Sequence, residues 1–273
     1  MKLAKLILVL LGLTLLIVIA VRESREDISA TGWGKRTALL KAADDGDVER
    51  LKALIASGAD LNARDEWQDT ALNLAARNHL GCLRILIAAH VDINTPGWQR
   101  QTALITAAAC GSRGCLQALI SAGARIDERD ADGNTALMEA VKNGRLPCVD
   151  TLVNAHANPD IRTPFGNSAM LTAAAHGDAG SIRALIRAKS NVNVRDADGN
   201  TPLIAATVNG HARCVELLLK AGANTEAKRW SKTTEPANGF ETPPSVGTAL
   251  NYATHMGRGD IVKLLVEHGA RKL

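Results

Sequence analysis

The amino-acid sequence predicts an all-α fold of stacked helix–turn–helix repeats, preceded by a single hydrophobic helix at the N-terminus. Three observations support this prediction. A short motif recurs along the chain at nearly constant spacing, only 3% of the 273 residues are aromatic, and residues 6–21 carry no charged side chain. Because aromatic residues are so few, Leu, Ala, Ile and Val must supply the buried surface, which suits thin stacked helices better than one thick core.

The recurring motif has the form Thr-x-Leu-x-x-Ala-Ala, and its first residue (the cap residue below) can cap a helix through its hydroxyl group. Its copies begin at seven positions: Thr37, Thr70, Thr102, Thr135, Ser168, Thr201 and Thr248. Successive copies are 32 or 33 residues apart, except for a last interval of 47 residues. One helix pair cannot bury its apolar face alone, so the alanines that end the motif are expected to let the next pair approach closely.

A second helix-like segment follows each copy and in several repeats ends in Gly-Ala, as at Gly58-Ala59 and Gly222-Ala223. A turn such as the one at residues 130–134 or 196–200 then leads into the next copy. These turns contain Gly and Asn, which accept the positive φ that a tight hairpin turn requires.

The period, the Thr-Pro-Leu-like start, the Gly-Ala and the Asp-x-x-Gly turn closely resemble the ankyrin repeat. The resemblance covers residues 31–273 as seven repeats, with an insertion at residues 231–246. Three repeats depart from it, because Ala89-His90-Val91, Ala155-His156-Ala157 and Lys189-Ser190-Asn191 replace the Gly-Ala. The resemblance implies an ankyrin-repeat solenoid with β-hairpin fingers, in which the hairpin tips and the inner helix face bind a protein partner.

Residues 1–25 have the organisation of a targeting segment, with Lys2 and Lys5 ahead of the uncharged run. As a helix this run would span roughly 24 Å at about 1.5 Å per residue, slightly less than a bilayer core of about 30 Å. It is longer than the hydrophobic region of about 7–15 residues in most signal peptides. Both an uncleaved transmembrane anchor and a cleaved signal peptide fit these dimensions.

The basic start is expected to stay in the cytoplasm. We therefore expect a single-pass protein of the bacterial inner membrane with its repeats in the periplasm, or a cleaved, soluble periplasmic form. A cytoplasmic orientation of the repeats is the less favoured alternative, to which Arg22 and Arg25 on the other side of the run would point.

Large aromatic side chains are concentrated at the predicted hairpin tips. Trp33, Trp67, Trp98 and Phe165 lie three or four residues before a cap residue. Trp230 takes the equivalent position when counted from the preceding repeat, just ahead of the insertion, and Phe240 lies inside the insertion. Exposed aromatic side chains are frequent at binding hot spots. We predict that these residues form a partner-binding edge, with closure of the turn against the neighbouring finger and contact with lipid headgroups as the alternatives.

Polar side chains that follow the Ala-Ala of the first helices are predicted to line the inner face and to contribute to binding. They are Arg77, Lys142, Asn143, His176, Asn209 and His255. This mixed set fits a protein ligand better than nucleic acid, and the net charge of +4 is spread without a basic block. The insertion is polar and rich in proline, so it either extends one finger on the binding side or is a neutral loop.

Four of the five cysteines, namely Cys82, Cys115, Cys148 and Cys214, share one position in the second helix of their repeats. Stacked helices lie about 10 Å apart, whereas a disulfide needs Cα atoms within about 7 Å, so bridges between neighbours are excluded. We interpret these four as small buried hydrophobes. A bridge between Cys110 and Cys115 is the alternative in an oxidising compartment, and the spacing disfavours a zinc site.

No catalytic motif occurs in the sequence, which has neither Gly-x-Ser-x-Gly, nor a Gly-rich phosphate loop, nor His-Glu-x-x-His. The prediction is a membrane-tethered or exported protein-binding module, not an enzyme, with no cofactor, metal, nucleic acid or small-molecule substrate. By analogy with exported bacterial ankyrin proteins, a toxin-neutralising immunity protein and an accessory to catalase-linked peroxide resistance remain open. A structural assembly scaffold is the alternative of another class.

Overall fold

The computed structural model describes residues 36–230 and 246–271, which form two compact units divided between Arg125 and Ile126. No helix in these two ranges is long and apolar enough to cross a lipid bilayer. The predicted targeting segment at residues 1–25 lies outside the described residues, as do Trp33, Phe240 and nearly all of the insertion.

The first unit contains three helix pairs in its described part. The helices are α1 (Ala38–Asp45), α2 (Val48–Ala56), α3 (Ala71–Ala75), α4 (Leu80–Ala88), α5 (Ala103–Cys110) and α6 (Arg113–Ser121). A tight turn with positive φ at Gln99 and Arg100 covers Trp98–Arg100. The first helices of the pairs, α1, α3 and α5, pack in sequence order to form one layer, while α2, α4 and α6 form a second layer beside it.

The second unit repeats this two-layer arrangement with four described pairs. The helices are α7 (Ala136–Lys142), α8 (Leu146–Asn154), α9 (Ala169–His176), α10 (Ala179–Arg187), α11 (Pro202–Asn209), α12 (Ala212–Lys220), α13 (Ala249–His255) and α14 (Gly259–Glu267). Strand β1 (Arg229–Trp230) pairs antiparallel with β2 (Val246–Gly247), with Trp230 opposite Val246.

Each first helix begins directly after a cap residue, whose hydroxyl oxygen accepts a hydrogen bond from the backbone N–H three residues later. This is the role that the sequence predicts for the Thr or Ser of the motif. In α3 and α13, Asn73 and Asn251 also accept the N–H of the cap residue and so complete a capping box. The hydroxyl residues therefore fix where every first helix starts.

The cores of both units are built from the motif alanines and from leucines of the second helices. The alanines Ala42, Ala75, Ala107, Ala140, Ala173, Ala206 and Ala253 are fully buried. Leu51, Leu83 and Leu116 of the first unit and Leu152, Leu185 and Leu218 of the second are equally buried. Because alanine is so small, adjacent first helices approach closely, and the fingers that precede them come into contact with one another.

The fingers, defined as the segments between a second helix and the next cap residue, contain little β-structure. Apart from the β1–β2 pair, the described fingers show one isolated bridge, between Arg64 and Thr70. The β-hairpin fingers implied by the resemblance are thus formed mainly by turns.

The three repeats that lack the Gly-Ala keep the same backbone. His90, His156 and Lys189 have φ values of 58°, 62° and 58°, in the left-handed region that Gly222 occupies at 84° in the sixth repeat. A residue with a Cβ atom is strained there by roughly 1–2 kcal/mol. The stack therefore imposes this turn even where the sequence does not favour it.

Candidate partner-binding surface

An aspartate five residues before the cap residue shapes most fingertips. Its Oδ1 atom accepts the backbone N–H groups two and four residues later, at 3.0 and 2.9 Å for Asp65 and at 3.0 and 2.8 Å for Asp130 and Asp196. Thr163 takes the same position in the fifth repeat and accepts the N–H of Asn167 at 3.1 Å. The tips are consequently closed turns with a fixed backbone, and side chains that project from them are held at defined places.

Arginines six residues before the cap residue join neighbouring fingers. Each guanidinium donates to a backbone carbonyl that lies 32 or 33 residues further along the chain, in the next finger. The pairs are Arg64 with Pro96 at 2.9 Å, Arg129 with Arg162 at 3.2 Å, Arg195 with Lys228 at 2.8 Å, and Arg162 with Arg195. We call these four arginines the fingertip arginines. They restrict movement of one finger relative to the next within each unit.

The described aromatic residues of the fingertips are exposed, as the sequence predicts. Trp67 and Trp98 of the first unit are 45% and 50% exposed, and Phe165 and Trp230 of the second are 75% and 47% exposed. Phe165 also offers its backbone carbonyl to the N–H of Ala197 in the next finger, at 3.1 Å. These aromatic side chains therefore expose a large apolar area to solvent, on turns whose backbone is held by hydrogen bonds.

Two of these aromatic rings also pack against the neighbouring finger. The Arg36 guanidinium lies 5.3 Å from the centroid of Trp67, and the Arg195 guanidinium lies 5.2 Å from that of Trp230. Trp230 rests on Gly199, where an added Cβ atom would lie 2.8 Å from the ring. Each of these two tryptophans contacts its neighbour while nearly half of the residue remains exposed, so turn closure and partner contact are compatible roles.

Charged side chains connect the inner face of the first unit with its fingers. Asp44 at the end of α1 pairs with Arg36 and also with Arg77, whose Nη1 lies 3.1 Å from Asp44 Oδ1. Arg36 Nε in turn lies 3.3 Å from Oδ2 of the buried Asp65. Arg77, predicted to bind a partner, is therefore held in an ion-pair network with 45% of its side chain still exposed.

Asp69 links this network to the tip that carries Trp98. Its Oδ2 lies 3.6 Å from Arg77 Nη2, and its Oδ1 accepts the backbone N–H of Trp98 at 2.9 Å. Burial raises the pKa of the Asp69 carboxyl, although the Trp98 N–H and the two arginines oppose the shift. The Asp69 carboxylate thus connects Arg77 of the inner face with the fingertip of the third repeat, which carries Trp98.

Lys142 and Asn143, the predicted inner-face residues of the fourth repeat, are both directed to Glu139. Lys142 Nζ lies 3.1 Å from Glu139 Oε1, and Asn143 Nδ2 donates to the Glu139 carbonyl at 2.8 Å and to Oε2 at 3.2 Å. Glu139 itself is 5% exposed. These contacts satisfy the buried carboxylate, while Lys142 and Asn143 remain exposed.

His176 lies beside a cavity of about 340 Å³ on the first-helix layer of the second unit. Its Nδ1 atom is 2.9 Å from the carbonyl oxygen of Thr172. The cavity is also lined by Asn209, Asn167, Asn200 and Arg229.

The sequence prediction for the inner face did not include Asn167, Asn200 or Arg229. The recurrence of Asn directly before the cap residue, at positions 134, 167 and 200, could have indicated the two asparagines. Arg229 carried no such signal in the sequence, and in the structure its side chain hydrogen-bonds with Tyr252. The ring of Tyr252 is fully buried, and burial raises the pKa of its hydroxyl while a hydrogen bond with Arg229 opposes the shift.

The four equivalent cysteines are buried, which confirms their interpretation as small core residues. The thiols of Cys82 and Cys115 point to the carbonyl oxygens of Ala42 and Ala75, at 4.0 and 3.9 Å. In this structure Cys110 and Cys115 are not bridged, and Cys110 is exposed at the end of α5. Cys115 is turned instead into the stack against the preceding repeat.

Comparison with known proteins places these features in one family. The profile for three copies of the ankyrin repeat matches residues 11–97, 93–163 and 146–229, and the single-repeat profile matches residues 247–272. The chain is 50% identical over 38 residues to an ankyrin repeat protein of Rickettsia felis, a match that covers 14% of this chain and 60% of that protein. The chain thus spans about 60% of the length of the curated relative it matches.

Two solved structures are similar over most of the chain. The human ASB11 ankyrin repeat domain gives a TM-score of 0.71 at 23% identity, covering 87% of this chain and all of that domain (100%). An ankyrin repeat domain from Acinetobacter baumannii AYE gives a TM-score of 0.64 at 31% identity, covering 68% of this chain and 98% of that domain. The chain belongs to the ankyrin repeat family, whose repeats are general protein–protein interaction modules and are typically not enzymes.

Proposed function

We propose that the chain is a membrane-tethered module that binds a partner protein through its fingertips and its inner helix face. The observation that carries this proposal is the exposure of Trp67, Trp98, Phe165 and Trp230 on turns whose backbone is fixed. The rings of Trp67 and Trp230 already contact neighbouring residues, so they lose less conformational freedom on binding and more of their buried area contributes to affinity. Tryptophan is also among the residues most enriched at binding hot spots.

The inner face offers polar groups that would set the specificity of such binding. Arg77 remains half exposed within its ion pairs, and His176 borders a cavity with mixed hydrogen-bonding side chains. Separate donors and acceptors of this kind suit the backbone and side chains of a protein better than a phosphate backbone.

The membrane part of the proposal depends on residues 6–21. We propose that they anchor the chain in a bacterial inner membrane, with the repeats in the periplasm. The uncharged run behind Lys2 and Lys5 supports this topology, and the bacterial relatives support a bacterial source. A tether would raise the concentration of the module near envelope proteins.

Crosslinking in membranes followed by purification tests the binding surface. The variant Trp67→Ala/Trp98→Ala/Phe165→Ala/Trp230→Ala would be compared with the wild type and with Met256→Ala/Val266→Ala, which removes exposed apolar groups outside the fingertips. We expect the wild type and the Met256/Val266 control to recover the same dominant partner, and the fingertip variant to recover at least tenfold less. Equal recovery by all three proteins would contradict the proposal.

Reporter fusions at the C-terminus test the topology. A periplasmic location predicts an active alkaline phosphatase fusion and a dark green fluorescent protein fusion. The reverse pattern would place the repeats in the cytoplasm and refute this part of the proposal.

A further inference from the structure

The second-helix layer of the second unit contains a groove of about 620 Å³ that the proposed function does not use. It is lined by residues of α8, α10 and α12, and it lies on the helix layer that does not carry the cap residues. We call it the outer groove. Its volume lies within the range of about 300–1,000 Å³ that ligand sites occupy.

The floor of the outer groove is apolar. Leu146, Ile186 and Leu217 come from three successive second helices, and each is only partly buried. Gly180 leaves room for the Leu146 side chain, because an added Cβ atom at Gly180 would lie 2.8 Å from Leu146 Cδ2. Partly exposed aliphatic groups gain free energy when another apolar surface covers them.

The rim of the outer groove is positively charged. Its lining includes three cationic residues, Arg183, Arg187 and Lys220, and one acidic residue, Asp150. Arg187 pairs with Asp150 at 2.7 Å, and Lys220 pairs with Glu216 at 2.6 Å. Within the described residues no carboxylate lies within 4.0 Å of Arg183, so the rim retains unneutralised positive charge.

The dimensions of the outer groove favour a long ligand over a small one. Neighbouring packed helices are about 8–10 Å apart, so a ligand that contacts α8, α10 and α12 together must be about 20 Å long. A helix of about 13 residues has this length at about 1.5 Å per residue. A helix with one apolar stripe places its carboxylates at the edges of that stripe, where they would meet the cations of the rim.

We propose that the outer groove docks an acidic amphipathic helix of the partner protein. The inference rests on the proposed function, since both require a protein partner, but it concerns a different surface. The apolar stripe of the helix covers Leu146, Ile186 and Leu217, and its carboxylates pair with Arg183 and Lys220. Attraction between these charges speeds association and selects against basic helices.

The test uses the full chain in nanodiscs of phosphatidylcholine and a fluorescent 14-residue peptide with leucines at helical spacing and glutamates elsewhere. Anisotropy would report its binding to the wild type, to Arg183→Glu/Lys220→Glu and to Lys263→Glu, which reverses an exposed cation of α14 outside the groove. We expect at least tenfold weaker binding for the double variant and an unchanged affinity for Lys263→Glu. A peptide with lysines in place of the glutamates should bind at least tenfold more weakly to the wild type.

Three outcomes would overturn the inference. They are equal binding by the double variant, equal binding of the lysine peptide, and binding of phosphatidylglycerol vesicles through the rim without binding of the acidic peptide. Circular dichroism of each variant excludes unfolding as the cause of a loss, and Arg183→Gln alone, with no ion pair to break, should give an intermediate loss. The fingertip variant should bind the acidic peptide like the wild type, so failure of either proposal is recognisable separately.

Discussion

Asp69 accepts the backbone N–H of Trp98 at 2.9 Å, and this contact ties the finger of the second repeat to the fingertip of the third. The two residues are 29 positions apart, yet the repeat brings them together because adjacent fingers stack side by side. The same carboxylate lies 3.6 Å from Arg77 of the inner face. Trp98 is therefore oriented by a group that is also in contact with the inner-face network.

Gly97→Ala should disrupt this contact. A Cβ atom at Gly97 would lie 2.1 Å from Asp69 Oδ1 and 3.1 Å from Asn73 Cγ, although φ at Gly97 is −97° and any residue could adopt it. We expect a loss of roughly 1–3 kcal/mol in the free energy of unfolding, as for other overpacked sites. Urea denaturation measures this loss.

Gly259→Ala is the matched control, because no heavy atom lies within 4 Å of its added Cβ and the residue begins α14. It should leave stability unchanged or raise it slightly, since alanine favours helix. A Gly97→Ala protein as stable as this control would show that the Asp69 contact does not constrain the fingertip.

Asp69→Asn should change how stability depends on pH. Burial raises the pKa of Asp69 above its usual value of 3.8, so the folded state holds this proton more tightly than the unfolded chain does. The stabilisation that results is complete below the unfolded pKa and is lost as pH rises through the folded pKa. Asparagine still accepts the Trp98 N–H but carries no charge to bury.

We therefore expect the free energy of unfolding of Asp69→Asn, minus that of the wild type, to increase as pH rises from about 3 to about 6. Urea titrations at several pH values measure this difference, in which the contributions of carboxylates that do not interact with Asp69 cancel. A constant or decreasing difference would contradict the assigned direction of the pKa shift.

Cysteine reactivity tests the packing of the second helices. Cys110 is exposed, whereas Cys82, Cys115, Cys148 and Cys214 are buried. Burial also raises the pKa of Cys214 to about 11, and it raises the pKa of Cys82 and Cys115. Because the thiolate is the reactive form, these buried thiols should react slowly in the folded protein.

Ellman's reagent should therefore titrate one thiol rapidly in the native reduced protein and all five in denaturant. The Cys110→Ser variant should lack the rapid phase. Rapid reaction of two or more thiols in the native protein would show that the second-helix layer is looser than the structure indicates.

Sequence periodicity was enough to predict the helix starts, the alanine contacts and the exposure of Trp67, Trp98, Phe165 and Trp230. Each of these features depends only on residues within one repeat, or on the fact that the neighbouring repeat has the same structure. A hydroxyl residue followed by Leu and two Ala indicates the same local structure in every copy. The positions of the four equivalent cysteines in the second helices could be predicted for the same reason.

Contacts between different positions of neighbouring repeats were not predicted. The fingertip arginines recur visibly at positions 64, 129, 162 and 195, but the sequence does not show that their guanidinium groups reach carbonyls of the next finger. The pairing of Asp44 with Arg77 likewise depends on how far one helix end lies from the next. Such contacts follow from the distance between repeats, which a repeating pattern alone does not specify.

Lys189→Gly should stabilise the protein, and Gly222→Lys should destabilise it. The two residues occupy the same position in the fifth and sixth repeats, with φ values of 58° and 84°. The left-handed conformation costs a residue with a Cβ atom roughly 1–2 kcal/mol, while glycine loses roughly 0.5–1 kcal/mol through its greater freedom in the unfolded chain. The net change expected for each substitution is about 0.5–1 kcal/mol, in opposite directions.

No heavy atom lies within 4 Å of a Cβ atom added at Gly222, so its substitution reports backbone strain without a steric clash. Lys189→Ala serves as the control, because it removes the lysine side chain but keeps the Cβ atom and should change stability by less than Lys189→Gly does. Urea denaturation of the four proteins gives the comparison. If Lys189→Gly and Lys189→Ala shift stability equally, the gain comes from loss of the side chain, and the stack does not strain the turn at this position.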